Sequence, residues 1–202
     1  MARYTGPQCR LCRREGQTLH LRGKCALDNR QGPPGEQHGS FNRQSEYGRQ
    51  LREKQLVKRV YGVLENQFRN TFEEAERQSG KTGENLLVLM ERRLDSAITR
   101  LGLAWTRRQG RQYVNHGHVL VNGETIDIPS YRIEPGDNLE LKDRMKDNEQ
   151  VVETMSITQQ TGLKEWLTHT GRASGRVVRN PEREEIDEVD IDESLIVEFY
   201  SK

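Results

Sequence analysis

The chain has 202 residues, of which 32% are hydrophobic and 31% are charged, so it can form one or two domains with modest cores. Its longest fully apolar run, residues 86–90, is far too short to cross a bilayer, and its first residues lack the apolar segment of a signal peptide. These features argue against a membrane protein and against a secreted protein. We therefore expect a cytoplasmic protein without a membrane partner.

The charge is distributed unevenly along the chain, although its net value is only +1. Residues 1–60 contain 13 Lys and Arg against 5 Asp and Glu, a net charge of +8, whereas residues 61–150 carry −2 and residues 151–202 carry −5. A chain polarised in this way can hold RNA with its basic end while the acidic end faces water or a basic protein.

The first 40 residues contain Cys9, Cys12 and Cys25 among glycines and prolines, and they show no helical period. We expect a basic, loop-rich extension over residues 1–44. The two-residue gap between Cys9 and Cys12 lets both thiolates reach one tetrahedral zinc ion, which would be the only cofactor. The cysteines either bind this structural zinc or are free thiols shielded by RNA, because a disulfide is not expected in a reducing compartment. Candidates for a fourth ligand are His20, Asp28 and His38.

Residues 45–90 predict a helical domain that follows the extension. Apolar residues recur with a helical period along residues 45–62, and basic side chains line the rest of this helix. A second helix is predicted where Phe68, Phe72 and Ala75 stand at i, i+4 and i+7. We expect these three side chains to belong to the core.

The central part of the chain continues with two more helix patterns. Apolar residues form one stripe along residues 91–101, which predicts a helix that Gly102 ends. Thr106 stands three residues before Gln109, the spacing at which a threonine and a glutamine cap a helix start together. A short helix over residues 107–115 is therefore predicted.

This short helix carries three arginines, Arg107, Arg108 and Arg111, within about one turn of each other. We expect their guanidinium groups to project as one cluster, and such a cluster attracts anions. The simpler alternative is a solvated helix face with no ligand.

A hairpin and one further strand follow the arginine helix. The Asn-Gly dipeptide at 122–123 is the strongest short hairpin signal, and Ile126 and Ile128 continue the alternation on the return strand. The Pro-Gly dipeptide at 135–136 predicts another turn before a strand at residues 139–141.

Residues 92–137 read RRLDSAITRLGLAWTRRQGRQYVNHGHVLVNGETIDIPSYRIEPGD and resemble the RNA-binding domain of the fourth small-subunit ribosomal protein family in its bacterial form. In that family the domain packs two helices against a small sheet and contacts structured RNA with the second helix and the following hairpin. Gly110 stands where the family usually has alanine, and a mid-helix glycine costs about 1 kcal/mol, so a softer helix is expected. The resemblance points to RNA contacts at Thr106, Arg107, Arg108, Arg111, Gln112, His116, His118, Asn122, Tyr131 and Arg132.

Basic residues that precede this domain complete the predicted RNA-binding set. They lie in the most positively charged part of the chain, where phosphate groups would be attracted most strongly. These residues are Arg3, Arg10, Arg13, Arg14, Arg49, Arg52, Lys54, Lys58 and Arg59.

The end of the chain departs from a family whose members are usually basic throughout. Residues 182–193 contain eight acidic residues and one basic residue, so we expect them to point away from RNA as a solvated segment. For the last nine residues, periodicity alone predicts a strand. Their resemblance to the family's closing segment implies instead a helix that returns to the helical domain.

We expect an α+β protein with three parts. A basic, Cys-containing extension over residues 1–44 precedes a helical domain of residues 45–90, which residues from about 180 to 202 complete. Residues 91–179 form a small RNA-binding domain with two helices, an antiparallel sheet and variable strands.

The resemblance implies a structural protein of the small ribosomal subunit that has no catalytic activity. Such a protein binds 16S-type ribosomal RNA directly, nucleates assembly of the subunit body and contributes to translational accuracy. Its partners would be this RNA, the fifth small-subunit ribosomal protein and the path by which messenger RNA enters. Two alternatives use the same domain: a free-standing stress factor and an RNA-modifying enzyme, although no segment here is long enough for a catalytic domain.

Overall fold

The structure is a computed structural model that describes residues 4–19, 25–30, 32–35, 45–187 and 189–201. The chain divides into two compact units, of which the first contains Met1–Leu86 and Asp187–Lys202 and the second contains Leu87–Ile186. In the described parts of the chain, none of the helices is both long enough and apolar enough to span a membrane.

Helices and strands occur in separate runs along the chain, as expected for an α+β protein. The helices are α1 Gln8–Glu15, α2 Glu46–Val60, α3 Glu65–Arg77, α4 Thr82–Glu91, α5 Leu94–Arg100, α6 Arg107–Asn115, α7 Asp143–Lys146, α8 Glu149–Thr161 and α9 Glu193–Tyr200, with single 3-10 turns at Ala26–Asp28 and Arg183–Glu185. The strands are β1 Val119–Val121, β2 Glu124–Thr125, β3 Asn138–Leu141, β4 Leu167–Gly171 and β5 Ser174–Val177.

The first unit contains a helix that the sequence did not predict. Helix α1 lies in the extension, between Pro7 and Gly16, whose φ of 70° is left-handed and ends the helix. The expectation of a loop-rich extension missed this helix, because Cys9, Leu11 and Cys12 are its only apolar positions and only Cys12 of these is buried. So little apolar surface gives no visible helical period.

The predicted helices α2 and α3 are present and build the core of the first unit. The Ser45 hydroxyl caps α2 by accepting a hydrogen bond from the Gly48 amide at 3.1 Å. Phe68, Phe72 and Ala75 of α3 are at most 4% exposed, as expected for core residues.

The closing segment is helix α9, so the strand that periodicity predicted is wrong and the helix implied by the resemblance is correct. The helix packs against α2. The Gln50 side chain of α2 donates to Glu198 at 2.9 Å, and the Tyr200 ring lies 4.6 Å from the Phe72 ring. These contacts supply the tertiary packing that outweighs the β-like run of apolar residues.

The second unit contains one antiparallel sheet in the order β2-β1-β3-β5-β4. Helices α5 and α6 share a buried apolar cluster with this sheet. In α6, a Cβ added to Gly110 would lie 2.8 Å from the Asp95 carbonyl oxygen and 2.8 Å from the Thr99 hydroxyl of α5. The glycine therefore permits a close approach of the two helices, which the sequence analysis had interpreted only as local softness.

The helix predicted over residues 91–101 is shorter than expected, because α4 ends at Glu91 and α5 begins at Leu94. Arg93 is extended, with φ −69° and ψ 139°, and it forms a β-bridge with Arg132. The Leu94 amide donates to the Tyr131 carbonyl at 2.9 Å. This long-range backbone pairing, which has no local sequence signal, breaks the helix.

The hairpin signal is confirmed, since Asn122 and Gly123 both have positive φ, 52° and 87°. The return strand is only Glu124–Thr125, although the Ile126 amide still donates to the Val119 carbonyl. Ile128 is 54% exposed, so its predicted place on that strand is wrong. Pro129 follows directly, and proline cannot continue the ladder.

Helices α7 and α8 occupy a polar region that the sequence left unassigned. Asn148 caps α8 by accepting a hydrogen bond from the Gln150 amide at 3.0 Å. Thr154 and Thr158 face the interior of the unit, and each hydroxyl donates to a carbonyl four residues earlier. These buried threonines hide the apolar period of the helix.

Candidate nucleic-acid interface

Buried carboxylates hold most of the arginines around α5 and α6. Glu91 accepts two hydrogen bonds from Arg100, at 2.9 and 2.7 Å, and one from Arg107 at 3.1 Å. Arg107 also donates to the Ser96 hydroxyl at 3.3 Å. The side chains of Glu91, Arg100 and Arg107 are only 1%, 6% and 7% exposed.

Asp95 forms a second junction of the same kind. Arg93 donates to its two oxygens at 3.1 and 2.9 Å, and Arg111 donates to Oδ2 at 3.0 and 2.8 Å. We call these six residues the Glu91–Asp95 cluster: Glu91, Asp95, Arg93, Arg100, Arg107 and Arg111. With four guanidinium groups on two carboxylates, the cluster links α4, α5 and α6 through charge-assisted hydrogen bonds.

The predicted exposed cluster of three arginines is therefore corrected. Arg107 and Arg111 point inward to Glu91 and Asp95, and their side chains are 7% and 11% exposed. Arg108, which lies between them, is exposed. A periodicity argument places all three on neighbouring positions but does not reveal the carboxylates that bind two of them.

Other predicted contacts in the second unit also have structural partners. The Thr106 hydroxyl caps α6 by accepting from the Gln109 amide at 3.2 Å, while the Gln109 side chain accepts from the Trp105 amide rather than from Thr106. Asn122 donates to Asp137 at 2.8 Å, and Arg132 donates to the Leu89 carbonyl. Tyr131 is half-buried against the core.

Three of the predicted contacts on and just after α6 are exposed, namely Arg108, Gln112 and His116. His116 lies beside His118, with ring centroids 5.9 Å apart. Arg144 Nη2 is 2.7 Å from His118 Nδ1, and burial followed by this positive charge lowers the pKa of His118. Because a guanidinium group can only donate, His118 Nδ1 accepts from Arg144, a basic residue that sequence reasoning missed because it lies outside the resembling segment.

In the first unit, a buried carboxylate again binds more than one arginine. Glu15 of α1 is 3% exposed, and its Oε1 accepts from Arg52 at 3.3 Å and from Arg59, both on α2. Burial, and then the positive charge of Arg14, lowers the pKa of both Arg52 and Arg59. We call Glu15, Arg14, Arg52 and Arg59 the Glu15 cluster.

The two lysines of α2 that were predicted to bind RNA have partners within the first unit. Lys54 is 5% exposed, donates to Glu65 at 2.7 Å and lies 4.3 Å from the centre of the Phe199 ring. Lys58 and the Tyr200 hydroxyl donate to the same carboxylate. Although burial opposes the shift, these three donors lower the pKa of Glu65 to about 2. Lys54 and Lys58 therefore anchor α9 rather than project outward.

The remaining basic residues of the first unit differ in accessibility. Arg10 and Arg14 are exposed on α1, and Arg49 is 55% exposed beside Glu46. Arg13 instead donates to the carbonyls of Gly32 and Pro33, at 2.8 and 3.1 Å. Arg3 lies outside the described residues.

The three cysteines lie in different environments. Cys12 and Cys25 are buried and share a hydrogen bond, whereas Cys9 is exposed. Burial raises the pKa of Cys12. Burial acts in the same direction on Cys25, but hydrogen bonds with the Leu27 backbone and the Thr18 and Cys12 side chains lower its pKa. Among the described residues, no group of three or more candidate ligands can hold a metal ion, and His20 and His38 lie outside those residues.

Most of the acidic segment is solvated. Glu182, Glu184, Asp187, Asp190 and Asp192 are exposed, as predicted, and Glu188 lies outside the described residues. Glu185 and Glu193 are partly buried, and the Glu185 side chain, which is 13% exposed, binds Arg179 at 2.8 Å.

Known proteins resemble this chain along its whole length. Residues 3–91 match the ribosomal protein S4/S9 N-terminal domain, and residues 92–139 match the S4 domain. Proteins named small ribosomal subunit protein uS4 from Halothermothrix orenii, Thermodesulfovibrio yellowstonii and Natranaerobius thermophilus are 49%, 50% and 51% identical to it. Each alignment covers 100% of this chain and 100% of the relative. The chain therefore belongs to the uS4 family of small ribosomal subunit proteins.

Proposed function

We propose that this chain is a structural protein of the small ribosomal subunit, in the cytoplasm, where it binds the subunit's ribosomal RNA directly and catalyses no reaction. The observation that carries the proposal is the identity of about half of all residues over the full length of relatives named for that subunit. The names of these relatives also favour this function over a free-standing stress factor or an RNA-modifying enzyme.

The RNA-binding surface follows from accessibility and charge. In the second unit we assign it to Arg108, Gln112 and His116, with Arg144 beside them at His118. In the first unit we assign it to Arg10, Arg14 and Arg49, together with the outer edges of Arg52 and Arg59. Arginine suits this role because its planar fork matches the geometry of a phosphate group.

The finer parts of the function extend this proposal. Direct binding to 16S-type RNA would let the protein nucleate assembly of the subunit body. Contact with the fifth small-subunit ribosomal protein, near the path by which messenger RNA enters, would connect it to translational accuracy. A basic protein neighbour suits the acidic segment better than RNA does, because its exposed carboxylates are those of Glu182, Glu184, Asp187, Asp190 and Asp192.

No cofactor is needed for this role. A zinc ion bound by Cys9, Cys12 and Cys25 remains a proposal, and it would require a fourth ligand and a rearranged extension. Metal analysis of the purified full chain decides it, since one zinc per chain that resists dialysis supports the site and a metal-free, fully RNA-binding protein refutes it.

Binding of the full chain to small-subunit ribosomal RNA across a range of salt concentrations tests the function. Arg108→Gln should lower the slope of log affinity against log salt by about one unit, as expected for a lost phosphate contact. Arg69→Gln is the matched control, because Arg69 is also a helical, exposed arginine but lies on α3, outside the proposed surface. Equal affinity for an unrelated RNA, or failure to co-sediment with small subunits, would refute the proposal.

A further inference from the structure

The Glu15 cluster has an excess of positive charge that its single carboxylate does not neutralise. Arg52 and Arg59 are seven residues apart on α2, so they lie on one helix face, and both donate Nη1 to the same oxygen of Glu15. Arg14 is the neighbour of Glu15 in α1 and is close enough to lower the pKa of both arginines. Two guanidinium groups therefore share one buried carboxylate and leave one positive charge, and the exposed Arg14 beside Glu15 in α1 adds a further positive charge.

The burial of the cluster is graded from the inside to the outside. The Glu15 side chain is 3% exposed, whereas those of Arg52 and Arg59 are 27% and 23% exposed. The carboxylate is thus out of reach of a ligand, but each arginine presents an edge to the surface. Long arginine side chains lose rotamer entropy on binding, and a partner that already fixes them lowers that cost.

We propose that Arg14, Arg52 and Arg59 form a binding site for a phosphate group of an RNA backbone, and that the buried Glu15 is the positioning residue that holds Arg52 and Arg59 in place for it. This site deepens the proposed function and rests on it. Glu15 does not touch the phosphate. It holds the guanidinium groups of Arg52 and Arg59 in the orientation in which their outer N–H donors meet the phosphate. The excess positive charge of the arginines supplies the attraction.

The direction in which Glu15→Gln changes RNA affinity distinguishes a positioning role of Glu15 from a purely electrostatic one. The substitution removes a negative charge close to the site, so Coulomb's law alone predicts tighter RNA binding. If Glu15 positions the arginines, their forks are released and binding weakens, by about three- to tenfold in affinity, the size expected for disturbed charge-assisted hydrogen bonds. Glu46→Gln is the control, because Glu46 is an exposed partner of Arg49 on the same helix. Removing the negative charge of Glu46 should leave the affinity for ribosomal RNA equal or slightly higher.

Lysine substitutions test the geometry if Glu15→Gln perturbs folding. Arg52→Lys and Arg59→Lys keep the charge and remove the fork, so each should lower ribosomal RNA affinity by about tenfold while the salt slope changes little. Thermal unfolding of every variant identifies losses that come from instability. Lysine variants that bind like the wild type, or a Glu15→Gln variant that folds and binds more tightly, would overturn the proposal.

The phosphate site can also be tested without RNA. Inorganic phosphate is titrated into the full chain while the NMR signals of the arginine Nε–Hε groups are recorded. Shifts at Arg14, Arg52 and Arg59, but not at Arg69, are expected. Loss of selective ribosomal RNA binding with these shifts retained would refute the proposed function and leave the phosphate site intact. Strong RNA binding with no shift at the three arginines, and no effect of their substitution, would refute the site and leave the function.

Discussion

The Glu91–Asp95 cluster and the Glu15 cluster are built from the same groups, arginines gathered around carboxylates, but they differ in burial. Every side chain of the first is at most 11% exposed, whereas about a quarter of Arg52 and of Arg59 reaches the surface in the second. Removing one partner of a buried pair leaves an uncompensated charge, but a partly exposed arginine can regain water. The first cluster therefore stabilises the fold, and the second can also meet a ligand.

Glu91→Gln should have the largest effect. It leaves Arg100 and Arg107 without their charged partner in the interior, and the free energy of unfolding should fall by about 3–5 kcal/mol. Urea denaturation followed by Trp166 fluorescence measures this, because Trp166 belongs to the core of the same unit. Glu84→Gln, in a surface pair with Lys81, should change stability by less than about 1 kcal/mol. Equal effects of the two substitutions would mean that burial does not distinguish the pairs.

Glu15→Gln should destabilise the first unit less, by about 1 kcal/mol, between the values typical of exposed and buried pairs. Its main consequence is expected in RNA affinity rather than in unfolding. Thermal unfolding and RNA binding, measured on the same preparation, show whether the loss of RNA affinity exceeds the loss of stability. A loss of stability as large as that of Glu91→Gln would show that the clusters are equivalent after all.

Glu65 extends the comparison to a carboxylate held by lysines and a tyrosine. Its pKa is about 2, below the unfolded value of about 4.3, so its contribution to stability is complete above pH 4.3 and is lost as the pH falls toward 2. Methyl NMR signals of Ile196 should therefore report loosening of α9 over this range. Glu65→Gln should abolish that pH dependence; an unchanged acid transition in the variant would contradict the assignment.

The acidic segment should give the smallest effect. Neutralising the exposed Glu182 and Glu184 together should leave ribosomal RNA affinity unchanged or slightly higher, and any gain should fade with salt because it comes from reduced long-range repulsion. Filter binding at low and physiological salt measures it. A tenfold loss of affinity would instead make this segment part of the RNA site.

Local signals in the sequence were sufficient for the turns and caps. Gly102, Gly117 and the dipeptide at 122–123 have the positive φ values that their residue types favour, and Thr106 caps α6 as its spacing predicts. Arginine partners could not be predicted in the same way. Glu15 lies 37 and 44 residues from Arg52 and Arg59, and nothing in a local pattern links positions so far apart.

The same limit explains what periodicity missed. Helix α1 buries only one apolar side chain, α8 buries two threonines beside Val151 and Met155, and α9 is stabilised by packing against α2. Family resemblance supplied α9 because it carries tertiary information that periodicity lacks. The RNA contacts that it implies at Arg107 and Arg111 stay predictions, and the buried carboxylates that hold both arginines could not be inferred from position.

The pairing of α9 with α2 sets an order for folding during synthesis. Residues 193–200 are made after the other described helices, yet they complete a unit whose helices α1, α2 and α3 are made first. The second unit is continuous over Leu87–Ile186, so all of its residues have been synthesised before α9 exists. The surface of the first unit that α9 covers therefore stays exposed until residues 193–200 have been synthesised. A truncation that removes residues 194–202 should leave the second unit folded and the first unit incomplete.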